Sequence, residues 1–342
     1  VRGESPAASA ARPSAIGAPA LGHRPARRSP SSFPLACAAP VLLCALLLAG
    51  CATPPASALL AQASAGLPER AELEDVPFYP QERYQCGPAA LATALVHAGV
   101  ATTPEALVPE VYLPARGGAL QAEMLAAARR HGRLAYPLAP RLADALAEVA
   151  AGTPVIVLQD LAFAFFPRWH YAVLVGYDRA REEVVLRSGT TPRLTLALSR
   201  FERSWARGGY WAMVVVPPER IPVTATEERY LAAVAALERT APAAARRAYG
   251  AALARWPRHL LALIGLGNAS YAMKDLVAAE AAYREATRHH PQAADAWNNL
   301  AQALAELGRR EEALAAAERA VALGGPRLVH YQRTLKAISE AR

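Results

Sequence analysis

The last third of the chain repeats every 34 residues, and this constrains the fold more than any other feature. Tyr249 and Tyr283 lie one period apart, and Ala252, Ala286 and Ala320 occupy the same slot in successive units. Pro257 and Pro291 recur in another slot, with Gly325 in the third copy. Leu263-x-x-Leu266-Gly267 returns as Trp297-x-x-Leu300-Ala301. A unit of this length is a helix pair that cannot bury its apolar face alone, so about three units over roughly 226–325 must stack. Small Ala and Gly at the recurring slots let paired helices approach closely. Pro326 to Arg342 reads as a capping helix.

Before the repeats the hydrophobic period changes twice. Cys86 opens a helix that runs through Ala89, Leu91, Leu95 and Val96 to about Gly99. Gly87 and Pro88 suit its first turn, where a missing backbone N–H costs nothing. A helical turn at Pro104–Val108, a helix from Leu120 to Gly132 and another from Ala139 to Ala151 follow. From Pro154 the pattern is that of strands, at 154–159, 169–177 and 183–187. A strand end with a short helix follows over 195–205, and a last strand over 211–216 closes on Pro217-Pro218. Helices first and antiparallel strands after is an α+β layout.

The four cysteines say where such a chain works. Cys37 and Cys44 sit in an apolar run from Leu35 to Ala49, preceded by Arg27 and Arg28. The run has the length of a signal-peptide core. Leu48-Ala49-Gly50-Cys51 at its end resembles the bacterial lipobox. The resemblance implies a signal peptide over 1–50, cleavage before Cys51 and lipidation of Cys51. With Ala52 next, it also implies an outer-membrane lipoprotein facing the periplasm. Residues before about Arg24 exceed an ordinary n-region, which points to an over-extended start site. The Ala/Ser/Pro-rich stretch that follows reads as a tether, 51–73 with Cys51 included. Cys86 then has no intramolecular disulfide partner in an oxidising compartment, which marks it as a reactive thiol.

The formal charge of +8 carries less than it suggests, because residues 1–50, with five Arg and one Glu, hold +4 of it. No basic stripe interleaves with aromatics, so no nucleic-acid partner is expected. Hydrophobic residues make up 53%, much of it alanine, which favours helix and adds little core volume. No cofactor is expected and no metal site, since adjacent His289 and His290 diverge on a helix.

At the start of its helix the Cys86 thiol meets the positive end of the dipole, which favours thiolate, the nucleophilic form. A base is needed. His97 lies eleven residues on, about 16 Å along the same helix, and His131 ends a polar helix. His170 opens the strand His-Tyr-Ala-Val-Leu-Val-Gly-Tyr-Asp. Gln81 shortly before Cys86-Gly87-Pro88-Ala89, with that His strand after it, resembles the papain-like peptidases of the double-glycine leader peptidase family. The likeness is closer still to their exported relatives fused to tetratricopeptide repeats, which the 34-residue units resemble. The resemblance covers about 74–217. It implies that Cys86 attacks a carbonyl, that His170 takes and returns the proton, and that Gln81 with the Cys86 backbone N–H stabilises the oxyanion. Gln85 competes for that last role. The family's third residue, an Asp or Asn after the His strand, has no counterpart in Val185-Leu186-Arg187-Ser188-Gly189-Thr190. Ser188 is the acceptor present there. Asp178 in the hairpin turn and Asp160 at the end of the preceding strand are remote alternatives.

The expected architecture is an α+β papain-like cysteine peptidase domain over 74–218, then an all-α tetratricopeptide-repeat domain over 224–342. The expected function is a lipid-anchored periplasmic cysteine peptidase acting on a peptide or protein substrate, with the repeats holding a protein partner. The alternative from another class is a binding scaffold whose papain-like domain has lost catalysis. A third option keeps the Cys–His chemistry for acyl transfer or amidase work on cell-wall peptides. No Gly-rich phosphate loop of an ATP-driven exporter is present, so bacteriocin leaders are not the expected substrate.

Overall fold

The computed structural model describes residues 66–81, 85–162 and 167–341. The signal peptide, Cys51 and most of the tether lie outside the described residues. Among the described residues five α-helices and nine strands precede the repeats: β1 (Arg70–Glu72), α1 (Cys86–His97), α2 (Pro104–Val111), β2 (Tyr112–Leu113), β3 (Gly118–Ala119), α3 (Gln121–Arg130), β4 (Leu134–Pro137), α4 (Leu142–Ala150), β5 (Val155–Asp160), β6 (Trp169–Asp178), β7 (Glu183–Ser188), β8 (Thr191–Ala197), α5 (Leu198–Arg207) and β9 (Ala212–Val216). Most lie on the expected stretches. Thr103 caps α2 by accepting the Ala106 N–H at 3.4 Å, with Pro104 at the first helical position.

The sheet runs β4-β9-β5-β6-β7-β8, with β1 added beside β6, and its pairings are antiparallel. β4 was not expected. Leu134-Ala135-Tyr136-Pro137 is too short to show a period, and it becomes a strand by pairing with β9, nearly eighty residues later. Strand alternation splits the interior in two. Ile156, Leu158, Tyr171, Val173 and Val175 pack with Leu91 and Leu95 of α1. Val155, Val157, Ala172 and Leu174 face the other way, onto Leu146 of α4 and Phe201 and Trp205 of α5.

Seven helices follow: α6 (Glu227–Glu238), α7 (Pro242–Arg255), α8 (Leu260–Ala272), α9 (Leu276–His289), α10 (Ala294–Glu306), α11 (Arg310–Leu323) and α12 (Leu328–Glu340). The small slots of the repeat have a steric cause. A Cβ on Gly265 would lie 2.2 Å from the Tyr249 ring, and one on Gly267 would lie 2.3 Å from the Tyr283 ring. Tyr249 of α7 and Tyr283 of α9 are therefore both seated on the bare backbone of α8, the helix between them. Among the described residues no helix is long and apolar enough to cross a membrane.

The sheet and the first repeat share one core. Leu134, Tyr136, Val214 and Val216 belong to the same buried cluster as Tyr230, Val234, Leu237, Ala245 and Ala248. The connection is pinned as well. The Glu148 carboxylate of α4, with no exposed surface, accepts the Thr224 N–H at 2.9 Å and its hydroxyl at 2.7 Å. Burial pushes that carboxyl up from its ordinary value, and the Thr224 bonds oppose the shift. Arg229 donates to the Pro137 carbonyl, and the Tyr230 hydroxyl to that of Pro218.

Candidate active site

The local sequence brings Cys86 against the sheet. Gly87 is needed because a Cβ there would stand 2.5 Å from the Ala119 Cβ, and Tyr171 packs on the same spot. Tyr171 is tied in by its hydroxyl, which donates to the Ala119 carbonyl at 3.3 Å. The Cys86 sulfur lies within reach of the Tyr171 backbone N–H, one peptide unit from the α-carbon of His170. It also feels the N–H groups of Gly87 and of Cys86 itself, the helix-start field anticipated from sequence. Those groups favour thiolate, but burial outweighs them and pushes the thiol up from its ordinary value. The expectation of an acidified thiol is thus corrected: desolvation at this helix end exceeds the dipole.

His170, half-buried at the start of β6, is held by Ser188 on β7, with its Nε2 2.8 Å from the Ser188 hydroxyl. Ser188 is itself buried. Burial first, and then the nearby positive charge of Arg168, lower the imidazole to about 4. Nε2 is taken by Ser188, so Nδ1 is the ring nitrogen open to a proton from outside. No hydrogen bond joins thiol and ring among the described residues. By the alternation of β6, Tyr171 faces α1, while His170 shares the phase of Ala172 and Leu174. The thiol therefore meets the β6 backbone at Tyr171 on the α1 side, and the His170 ring leaves the strand in the opposite phase.

Gln81 is fastened to the β7–β8 turn. Its backbone N–H donates to the Gly189 carbonyl at 2.9 Å, and its side-chain Oε1 accepts the Gly189 N–H at 3.2 Å. Gly189, at φ +58°, takes the left-handed conformation that glycine tolerates. The Gln81 amide nitrogen has no partner among the described residues and remains a donor. Gln85 stands at the N-cap of α1, where its side chain makes no capping bond. The end of β7 and the turn after it thus hold His170, through Ser188, and Gln81, through Gly189.

Residues 73–213 match the sequence model of the Peptidase_C39 like family, and 230–288 and 275–326 match that of the tetratricopeptide repeat. The chain carries a C39-like peptidase domain followed by tetratricopeptide repeats. Among solved structures, it is similar to a putative C39-like peptidase from Bacillus anthracis at 20% identity. That match covers 44% of this chain and 98% of the other, with a TM-score of 0.36. The peptidase domain of Streptococcus ComA, a bi-functional ABC transporter involved in a quorum-sensing pathway, matches at 16% identity over 42% and 98%, with a TM-score of 0.35. MamA protein matches at 19% identity over 34% of this chain and 63% of its own, with a TM-score of 0.31. No curated protein matches the chain.

The other histidines and aspartates considered for the site are engaged elsewhere. His97 bonds the Gly152 carbonyl at 3.1 Å, and His131 pairs with Glu110 at 2.9 Å. Asp160 is buried and accepts the N–H groups of Ala162 and Arg168, with Arg207 beside it, so it shapes the loop before β6. Asp178 accepts the Arg181 N–H in the next hairpin. Neither aspartate bonds the ring. In the repeats His289 turns to Glu285 and His290 to the Arg258 carbonyl, as their adjacent positions required. Sequence reasoning missed the Gln81–Gly189 link, which joins positions more than a hundred residues apart and leaves no local signal.

Proposed function

We propose that the C39-like domain is a thiol hydrolase acting on peptide bonds, with Cys86 as nucleophile and His170 as base. The observation that carries this is the ring itself. Ser188 fixes its Nε2, which leaves Nδ1 to take the thiol proton, and the Cys86 sulfur meets the backbone N–H of Tyr171, the next residue of β6. Both groups are neutral at rest, the thiol raised and the imidazole lowered to about 4. Proton transfer from sulfur to Nδ1 accompanies attack on the carbonyl. Gln81 and the Cys86 N–H receive the oxyanion. The ring then hands the proton to the leaving amine. The repeats hold a protein partner or substrate.

A neutral resting pair makes a specific prediction. Alkylation of Cys86 by iodoacetamide rises with pH through the region above an ordinary thiol, with no fast plateau at acidic pH. The blocked protein no longer cleaves a mixed peptide library read by mass spectrometry. Cleavage that survives complete blocking ends the hydrolase reading.

Cys51 extends the proposal to location: a lipid on this residue anchors the domain to the outer membrane, facing the periplasm. Globomycin treatment or Cys51→Ala then moves the protein from the membrane fraction to the soluble envelope fraction. Unchanged fractionation in both overturns the anchor.

The scaffold reading is favoured by one observation: among the described residues no carboxylate or amide bonds Nε2, where Ser188 supplies a weaker acceptor. It predicts partner capture through the repeats that does not depend on Cys86.

A further inference from the structure

Arg187 precedes Ser188 and is 8% exposed. Its guanidinium gives its hydrogen bonds to four backbone carbonyls and none to a carboxylate: Nε to Val76 at 3.3 Å, Nη1 to Pro192 at 2.7 Å, and Nη2 to Leu73 at 3.4 Å and Glu74 at 3.3 Å. No carboxylate lies within ion-pair distance of it among the described residues, although Glu72 is near enough to favour its charge against burial, and a charge buried in this way adds little to stability. What it supplies is geometry, because the planar fork fixes several acceptors at once. Three of the four carbonyls belong to 73–76, the segment that leads to Gln81 and then to Cys86. At the far end of that segment Gln81 is joined to Gly189 by backbone and side chain. Arg187 and Gly189 therefore bracket Ser188, the residue that holds the His170 ring.

We propose that Arg187 is a positioning residue: by clamping 73–76 against β7 it sets the Gln81 amide beside the Cys86–His170 pair. It acts through Gln81, not on the substrate, and the inference rests on the hydrolase reading above.

Two probes on the mature protein separate this from a structural role. Acylation by p-nitrophenyl acetate forms a C–S bond at Cys86, passes the thiol proton to His170 and expels p-nitrophenolate through a tetrahedral oxyanion. Alkylation by iodoacetamide displaces iodide with no oxyanion. Gln81→Ala is expected to slow acylation by about 10²-fold and to leave alkylation unchanged. Arg187→Lys, which keeps the charge and loses the fork, is expected to slow acylation by roughly 10- to 100-fold and to spare alkylation. The double variant is expected to be no slower than Gln81→Ala alone. Additive losses, a parallel fall in alkylation, or wild-type acylation by Arg187→Lys overturns the proposal. If Arg187→Lys lacks a cooperative thermal transition, Arg187→Gln is measured in the same way; failure of both to fold overturns it too. Acylation that is equally fast in Cys86→Ala defeats the hydrolase reading and this inference together. Cys86-dependent acylation that ignores Arg187 defeats the inference alone.

Discussion

Replacing His170 with alanine is expected to reduce peptide hydrolysis by about 10⁴-fold, the upper range for a general base. In the resting protein the thiol is raised and must lose its proton to the ring as the sulfur attacks. Without the ring, only the small thiolate fraction remains, so residual activity should climb with pH up to the thiol's raised range. In the wild type the acid limb of kcat/KM belongs to His170 and is expected near pH 4, not near the ordinary value for histidine. The sign follows from the role: the base works when neutral, and burial keeps it neutral down to about 4. A limb near 6.5 that persists in Ser188→Ala would show a ring open to solvent and contradict this geometry. The same shift affects folding. The unfolded chain binds a proton on this histidine at a higher pH than the folded one, so its contribution to stability is complete above about 6.5 and falls as pH drops towards 4. Two and a half units amount to roughly 3 kcal/mol.

The second large effect is on the fold. A chain ending at Pro218, where the sequence reads a domain boundary, is expected to lose its cooperative thermal transition and to aggregate. Removing α6 and α7 uncovers the side of the core that holds Leu134, Tyr136, Val214 and Val216, and takes away fully buried Tyr230 and Val234. Each such side chain is worth about 1.5–3 kcal/mol, and a domain's whole margin is only about 5–15 kcal/mol. It also strips the Glu148 carboxylate of Thr224, leaving a buried carboxyl without its two donors. A chain ending after Arg258 retains α6 and α7 and is expected to melt cooperatively. Scanning calorimetry of the two chains decides the matter. Equal stability would mean that the shared core contributes little.

These effects mark where the sequence was legible. Cys86 at a helix start and His170 at a strand start could be read because helix and strand periods are local. The repeat could be read because a 34-residue copy needs no knowledge of contacts, and its tyrosines, Tyr249 and Tyr283, proved to close on Gly265 and Gly267 of one helix. The expectation for the thiol had the right local field and missed the burial, which depends on Ala119 and Tyr171 arriving from elsewhere in the chain. β4 and the Gln81–Gly189 link were invisible for the same reason. Arg187 was passed over because a lone arginine in a strand reads as a solvated edge residue. Pro217-Pro218 read as the close of the last strand and of its domain because composition reports backbone stiffness and says nothing about which side chains lie under it.

The seam between sheet and helices has a consequence for how such a protein can be diversified. A cut at the proline pair transplants a broken enzyme, whereas a cut one helical hairpin later carries a finished wall with it. New partner-recognition arrays are therefore best grafted beyond residue 258, and swaps made at the earlier junction should yield insoluble chimaeras whatever array is attached.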